Sequence, residues 1–276
     1  MSKDSEFIKR PLTGILDKIS LEISYLNAGF TTKHVLWYIL DSAFLQITGA
    51  LEQKVKCIYW ELGNNSYDLR YDIINSKSKI GECSNYEDKN KVLKMLIEEI
   101  IAIKENRGYK DCCASIEQET YWKTSIGTIP IKQSIKKFYD NGMLEEYFLR
   151  EYQEYEKIIL DLDAKALIVD NKDIKKNEED KIDIHLFYEK QCGKKNTIHY
   201  KKNKELEKIY NKAIKYRNRI AHNTKSTINN IPDFAELKDQ YYKYEKNPFI
   251  RFAIILLVDR TFIDVFDQYE KARNDW

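Results

Sequence analysis

The chain has 276 residues, with 46 Lys+Arg against 44 Asp+Glu and 43% apolar side chains. That is enough apolar mass for a core, which excludes a mostly disordered polymer, and at about 150 residues per domain it fits one large domain or two small ones. Only 9 Gly and 4 Pro are present, which argues against turn-rich sandwiches, propellers and Gly-rich nucleotide cradles and favours long helices.

In chain order, Leu12, Ile15, Leu16, Ile19, Ile23 and Leu26 recur at helical spacing, and Gly29 stops the pattern. Thr31 or Thr32 is placed to cap a long helix over about 33–62, whose apolar content suits a central position. Residues 63–87 read as polar and irregular. A helix is predicted over about 88–106, with Leu93, Leu96, Ile97, Ile100, Ile101 and Ile103 on one side. Residues 107–133 are ambiguous, and a helix rich in Tyr and Glu follows over about 131–160. Residues 161–200 read as short elements and loops. Helices are then predicted over about 201–222, from Pro232 to about 245, and from Pro248 to about 270. The last is apolar on most sides and is expected to be buried. The expected fold is all-α, with 1–32 an N-terminal helical extension to a helical domain over 33–270.

Several chemistries lack their residues. Cys57, Cys83, Cys112, Cys113 and Cys192 are odd in number and form no CxxC, so neither a disulfide framework nor a zinc site is expected. The adjacent pair Cys112-Cys113 has no histidine close to it in sequence, so inert thiols are expected. His185, Cys192 and His199 are evenly spaced but have no fourth ligand of matching spacing, and no metal or other cofactor is expected. The N-terminal stretch MSKDSEFIKRPLTG has no apolar leader core. The longest apolar run, Phe252–Val258, falls far short of the ~20 residues that cross a bilayer. A cytoplasmic protein without a membrane partner is the expectation. Aromatic residues over 121–155 are read as core rather than as base-stacking platforms. No GxSxG, P-loop, HExxH or GxGxxG occurs.

Charge is unevenly placed. Residues 194–225 hold eleven Lys/Arg and two Glu, a net of +9, whereas 145–183 carry a net of −6. A basic block in an acidic body suits contact with a polyanion; a solvated lysine-rich helix face is the plainer alternative. At the end of this block stands Tyr216-Arg217-Asn218-Arg219-Ile220-Ala221-His222-Asn223. The apolar stripe of its helix runs Leu206, Ile209/Tyr210, Ala213, then Arg217, then Ile220/Ala221. Arg217 thus stands where an apolar residue is expected, and its guanidinium needs a partner, an interface or a cleft. Asn218 and His222 share a face at i, i+4; Arg217 is roughly 140° from His222 at about 100° per residue, an angle a long side chain can close.

These three residue types suit metal-free RNA cleavage. Arginine matches a phosphate with a fixed fork of donors. Histidine moves a proton near neutral pH. Asparagine orients the imidazole or donates to an oxyanion. A base helps the ribose 2′-hydroxyl attack the adjacent phosphate, and an acid protonates the leaving 5′-oxygen; the 2′-hydroxyl selects RNA over DNA. A histidine that merely satisfies carbonyls at a helix C-terminus is the alternative for His222. Lys212, Lys215 and Arg219 are the candidate RNA-binding cations.

Arg217-Asn218-x-x-x-His222 resembles the R-[N/D/H]-x-H signature of the HEPN superfamily, in which four to six residues separate Arg and His, and the stretch LDSAFLQITGALEQKVKCIYWELG (40–63) looks like an early helix of that superfamily. The resemblance implies a HEPN-like helical bundle with an inserted, mostly helical region at about 107–200. It implies a metal-independent endoribonuclease acting as a homodimer, with Arg217 and His222 of each subunit at a shared cleft and Asn218 in support. It further implies a toxin or effector of antiviral defence, in abortive infection or a toxin–antitoxin system, with an antitoxin or defence-system protein as partner. Thr224 stands where some HEPN toxins carry a tyrosine that a partner modifies, so control by that route is not expected. A non-catalytic helical module that binds RNA or a protein partner is the competing reading.

Overall fold

The computed structural model describes residues 3–26, 32–75, 83–106, 129–167, 188–192, 198–202, 204–222 and 242–274. The described residues are helical except for one antiparallel hairpin and short connections. The elements are α1 (Lys3–Lys9), α2 (Thr13–Ser24), α3 (Lys33–Asn65), α4 (Tyr67–Asn75), α5 (Tyr86–Asn106), α6 (Ile129–Tyr139), α7 (Gly142–Leu167), β1 (Tyr188–Cys192), β2 (Ile198–Lys202), α8 (Lys204–His222), α9 (Tyr242–Lys246) and α10 (Pro248–Asn274).

The two longest described helices form the axis of the core. α3 runs 33 residues, about 50 Å at the helical rise. Its buried positions Leu36, Leu40, Ala43, Phe44, Ile47, Leu51, Val55, Ile58 and Leu62 trace a continuous stripe at three- and four-residue steps. α10 is buried on almost every side, as its sequence demands; α3 and α5 pack against it. The start of α10 is set by Asn247, whose Oδ1 accepts from the backbone N–H groups of Phe249 at 3.1 Å and Ile250 at 3.3 Å, with Pro248 at the first helical position. Asn85 plays the same part for α5: its Oδ1 accepts from the Asp88 N–H at 2.7 Å, and its Nδ2 donates to the Asp88 carboxylate at 3.0 Å.

Four expectations change in detail. The stretch predicted from Leu12 forms α2, and a further short helix, α1, stands before Pro11. Ile8, Leu12, Leu16, Ile19 and Ile23 join the same core as α3 and α10. Residues 67–75, read as irregular, form α4, because Arg70 ties it to the end of α3. The predicted helix 131–160 is two helices, broken at Asp140-Asn141, and α7 carries a kink at Phe148 (φ −126°, ψ 19°). Its tyrosines belong to the core: Tyr139 stacks on Tyr152 with ring centroids 3.8 Å apart, and both meet the edge of Phe249. Within 161–200, α7 continues to Leu167 and β1 pairs with β2 in register Lys190↔Tyr200. The all-α expectation therefore holds for the described residues except that hairpin. The predicted helix from Pro232 to 245 lies largely outside the described residues, of which Tyr242–Lys246 are helical. Residues 107–128 also lie outside them. Among the described residues no helix is long and apolar enough to cross a membrane.

Candidate functional site

α8 carries the motif and packs against α3, α5, α9 and α10. Its buried face is Ile209, Tyr210, Ala213 and Ile214. Lys208, Asn211, Lys215 and Asn218 are exposed and recur every three or four residues, so they form its solvent face. Lys212 is half-buried. At the C-terminal end, three side chains turn inward onto carboxylates from other elements (Figuratively a row of clamps, at 216, 217 and 219).

Tyr216 donates its hydroxyl to Asp41 of α3, at 2.8 Å to Oδ1 and 3.0 Å to Oδ2. Its ring lies under the guanidinium of Arg251 at 3.7 Å. Arg251, from the first turn of α10, is fully buried, donates to Asp41 Oδ1 at 3.4 Å and also faces the Phe44 ring at 5.1 Å. Burial pushes the Asp41 carboxyl up, with Arg251 and the Tyr216 hydroxyl pulling it back down. Burial likewise raises the Tyr216 phenol and lowers the Arg251 guanidinium.

Arg217 finds the partner its position in the apolar stripe requires. Its Nη2 donates to Glu52 Oε2 of α3 at 3.1 Å, and its Nη1 donates to the neighbouring Asn218 Oδ1 at 3.1 Å. The Arg217 side chain keeps 21% of its surface exposed, against 10% for Glu52. The guanidinium therefore bridges a buried carboxylate and an exposed amide. Below the pair lies Lys89 of α5, buried, donating to the Cys83 and Ser84 carbonyls and facing the Tyr210 ring at 5.7 Å. Burial lowers its ammonium to about 8, despite the opposing pull of the Glu52 charge. Cys83, in the left-handed region at φ 56°, has its thiol raised to about 11 by burial.

Arg219, a candidate RNA-binding cation, pairs with the fully buried Glu245 of α9 and lies 5.9 Å from the Tyr216 ring. It is a cross-link between α8 and α9. His222 is the last residue of α8, in helical register with Asn218 and Lys215; its side chain lies outside the described residues. Of the predicted site, the structure joins Arg217 to Asn218 directly and holds Lys215 on the solvent face.

Sequence reading missed Asp41, Glu52, Lys89, Glu245 and Arg251. One signal was available: Glu52 follows Thr48 on the buried face of α3, and Arg251 borders the most apolar run of the chain, so each is a charge where spacing calls for an apolar residue. Among the described residues no group of His, Cys, Asp and Glu is arranged to hold a metal ion; Cys192 and His199 stand on β1 and β2, and His185 lies outside the described residues. Comparison with family models, curated proteins and solved structures finds no match for this chain.

Proposed function

We propose that the chain is a metal-independent endoribonuclease of the HEPN type, with a HEPN-like bundle as its scaffold and the end of α8 as its reacting edge. The observation that supports this reading is the bridged guanidinium: Arg217 is anchored on Glu52 and simultaneously bonded to Asn218, one turn before His222. An arginine has five N–H donors, so the fork held by Glu52 and Asn218 keeps further donors for a phosphate oxygen. In the proposed reaction a 2′-hydroxyl attacks the adjacent phosphorus. Arg217 stabilises the charge that builds on the phosphorane, and His222 transfers the proton to the leaving 5′-oxygen. Asn218 fixes the guanidinium and the imidazole relative to each other. Lys212 and Lys215 hold the RNA backbone. Two subunits bring their α8 ends to one cleft, and the activity serves a toxin or effector of antiviral defence.

Purified protein incubated with single-stranded RNA in EDTA should yield 2′,3′-cyclic phosphate ends. Arg217→Ala and His222→Ala should abolish them while circular dichroism and thermal melting keep the fold. Cleavage that persists in either variant rejects the assignment. A second reading, a non-catalytic RNA- or partner-binding module, draws on Arg217 and Arg219 both being committed to internal carboxylates; it requires RNA binding without any product from the wild type.

A further inference from the structure

α3 turns one side to the core and leaves the other open. On the open side Tyr38, Ser42, Gly49, Gln53, Lys56 and Trp60 follow one another at steps of three, four or seven residues, so they form one stripe. None of them is buried, and Tyr38 and Trp60, at its two ends, are 77% and 69% exposed. At the helical rise the stripe is about 33 Å long, room for several nucleotides of a strand. α8 runs along its edge. Tyr216 is bonded to Asp41 at 2.8 Å and Arg217 to Glu52 at 3.1 Å, which sets the end of α8 beside the middle of the stripe. Those bonds engage both acids, and the stripe itself holds Lys56 and no carboxylate.

Gly49 is the least expected member. Glycine is disfavoured in a helix interior, because it gives up the most backbone freedom on folding. Packing does not require it here: beyond its chain neighbours and the backbone of its own helix, no atom of the described residues lies within 4 Å of where its Cβ would stand. A helix that omits a side chain over open space lets a ligand come close to its backbone.

We propose that this face of α3 is the track of an unpaired RNA strand, which stacks bases on Tyr38 and Trp60 and passes its backbone over Gly49 beside Arg217. The stripe joins the two parts that strand-binding surfaces combine. Aromatic faces stand at both ends. Cations line the way, Lys56 within the stripe and the basic block of α8, net +9 over 194–225, along its edge. Every base has a π-face, so the contact tolerates any sequence. A duplex is refused, because its bases are already stacked on one another and out of reach of the two rings. The track rests on the ribonuclease reading only for what happens to the phosphate at Arg217.

Fluorescence anisotropy of the full chain with a labelled RNA strand of about ten nucleotides, 2′-O-methylated so that it cannot be cut, tests the track. The wild type should bind. Tyr38→Ala and Trp60→Ala should each weaken binding roughly tenfold. Gly49→Leu should weaken it at least as much, while circular dichroism and melting show a protein as stable as the wild type or more so. Tyr25→Ala, at an exposed tyrosine ending α2, should leave binding unchanged, and a blunt duplex of the same sequence should bind roughly tenfold more weakly than the strand. A wild type that does not bind the strand, or binds the duplex as well, overturns the proposal. So does an affinity unchanged in any of the three stripe variants, or one lost in Tyr25→Ala. Binding through these residues without cleavage of the unmodified strand rejects the ribonuclease reading alone; cleavage by a protein that fails these binding tests rejects the track alone.

Discussion

Among the ion pairs that tie α3 to other helices, two are built in opposite ways. Lys54 and Asp259, on α3 and α10, are almost completely buried, at 0% and 3% side-chain exposure. Around them each polar side-chain atom has a partner: Lys54 also donates to the Arg10 carbonyl at 2.8 Å, and Asp259 also accepts from the Leu12 N–H at 2.9 Å. The pair thus satisfies backbone groups of the α1–α2 junction and pins it to the core. Glu52 and Arg217 are the reverse case. Arg217 keeps 21% of its side chain exposed, and its second bond, to Asn218, is made at the surface. A closed pair serves architecture; an open one keeps donors and charge in hand for something that arrives from outside.

The largest effect should come from breaking the closed pair. Lys54→Met leaves the Asp259 carboxylate buried with its cation gone, a change that costs about 3–5 kcal/mol. Adding Asp259→Leu should recover much of that loss, because two apolar groups no longer need charge compensation. Denaturant unfolding of the single and double variants measures both. A single variant as stable as the wild type would refute the closed-pair description. Glu52→Leu should cost less, about 1–2 kcal/mol, since the freed Arg217 can turn toward water.

Lys89 supplies a pH test of the ground beneath the open pair. Its ammonium loses its proton near pH 8 in the folded protein but keeps it to about pH 10 in an unfolded chain. Between those values the unfolded state binds more protons, so Lys89 makes stability rise with pH. Cys83 acts in the opposite sense: its thiol holds its proton to about 11 when folded, so it makes stability fall over much of the same range. The wild-type profile is the small difference between the two. Lys89→Met removes the rising part and should lose ground to the wild type by up to about 1.4 kcal/mol per pH unit from pH 8 to 10. Parallel stability curves for the two proteins across that window would sink this account.

Long apolar periodicities made most of the helices legible: α3, α5, α8 and α10 stand within a few residues of their expected bounds. α4 was not legible, because its nine residues are short and interrupted by charges, and the bonds from Arg70 back to the Gly63 and Asn64 carbonyls at the end of α3 leave no periodic signal. The hairpin was missed because Tyr188–Cys192 and Ile198–Lys202 carry no strong alternation of apolar and polar residues. At the site, the stripe position of Arg217 announced that it needs a partner but not which one. Glu52 lies 165 residues away along the chain, and nothing local joins the two. The pairing of Arg219 with Glu245 was hidden in the same way, since the two stand on different helices and no local pattern links them.

The smallest stability effect belongs to Asn218, and it sharpens the contrast most. Asn218 is exposed, and its contact with Arg217 is made at the surface. Asn218→Ala should therefore change unfolding free energy by no more than about 0.5 kcal/mol. If the open pair exists to present a guanidinium, losing the amide lets Arg217 drift around its single anchor on Glu52, and cleavage of single-stranded RNA should fall roughly tenfold or more, since small misplacements of a positioning group are costly. The equally exposed Lys208→Ala, farther up the same solvent face, should leave cleavage within a few-fold. An Asn218 variant that is stable and fully active would mean that Glu52 alone fixes Arg217, and that the surface half of the bridge has no part in the chemistry.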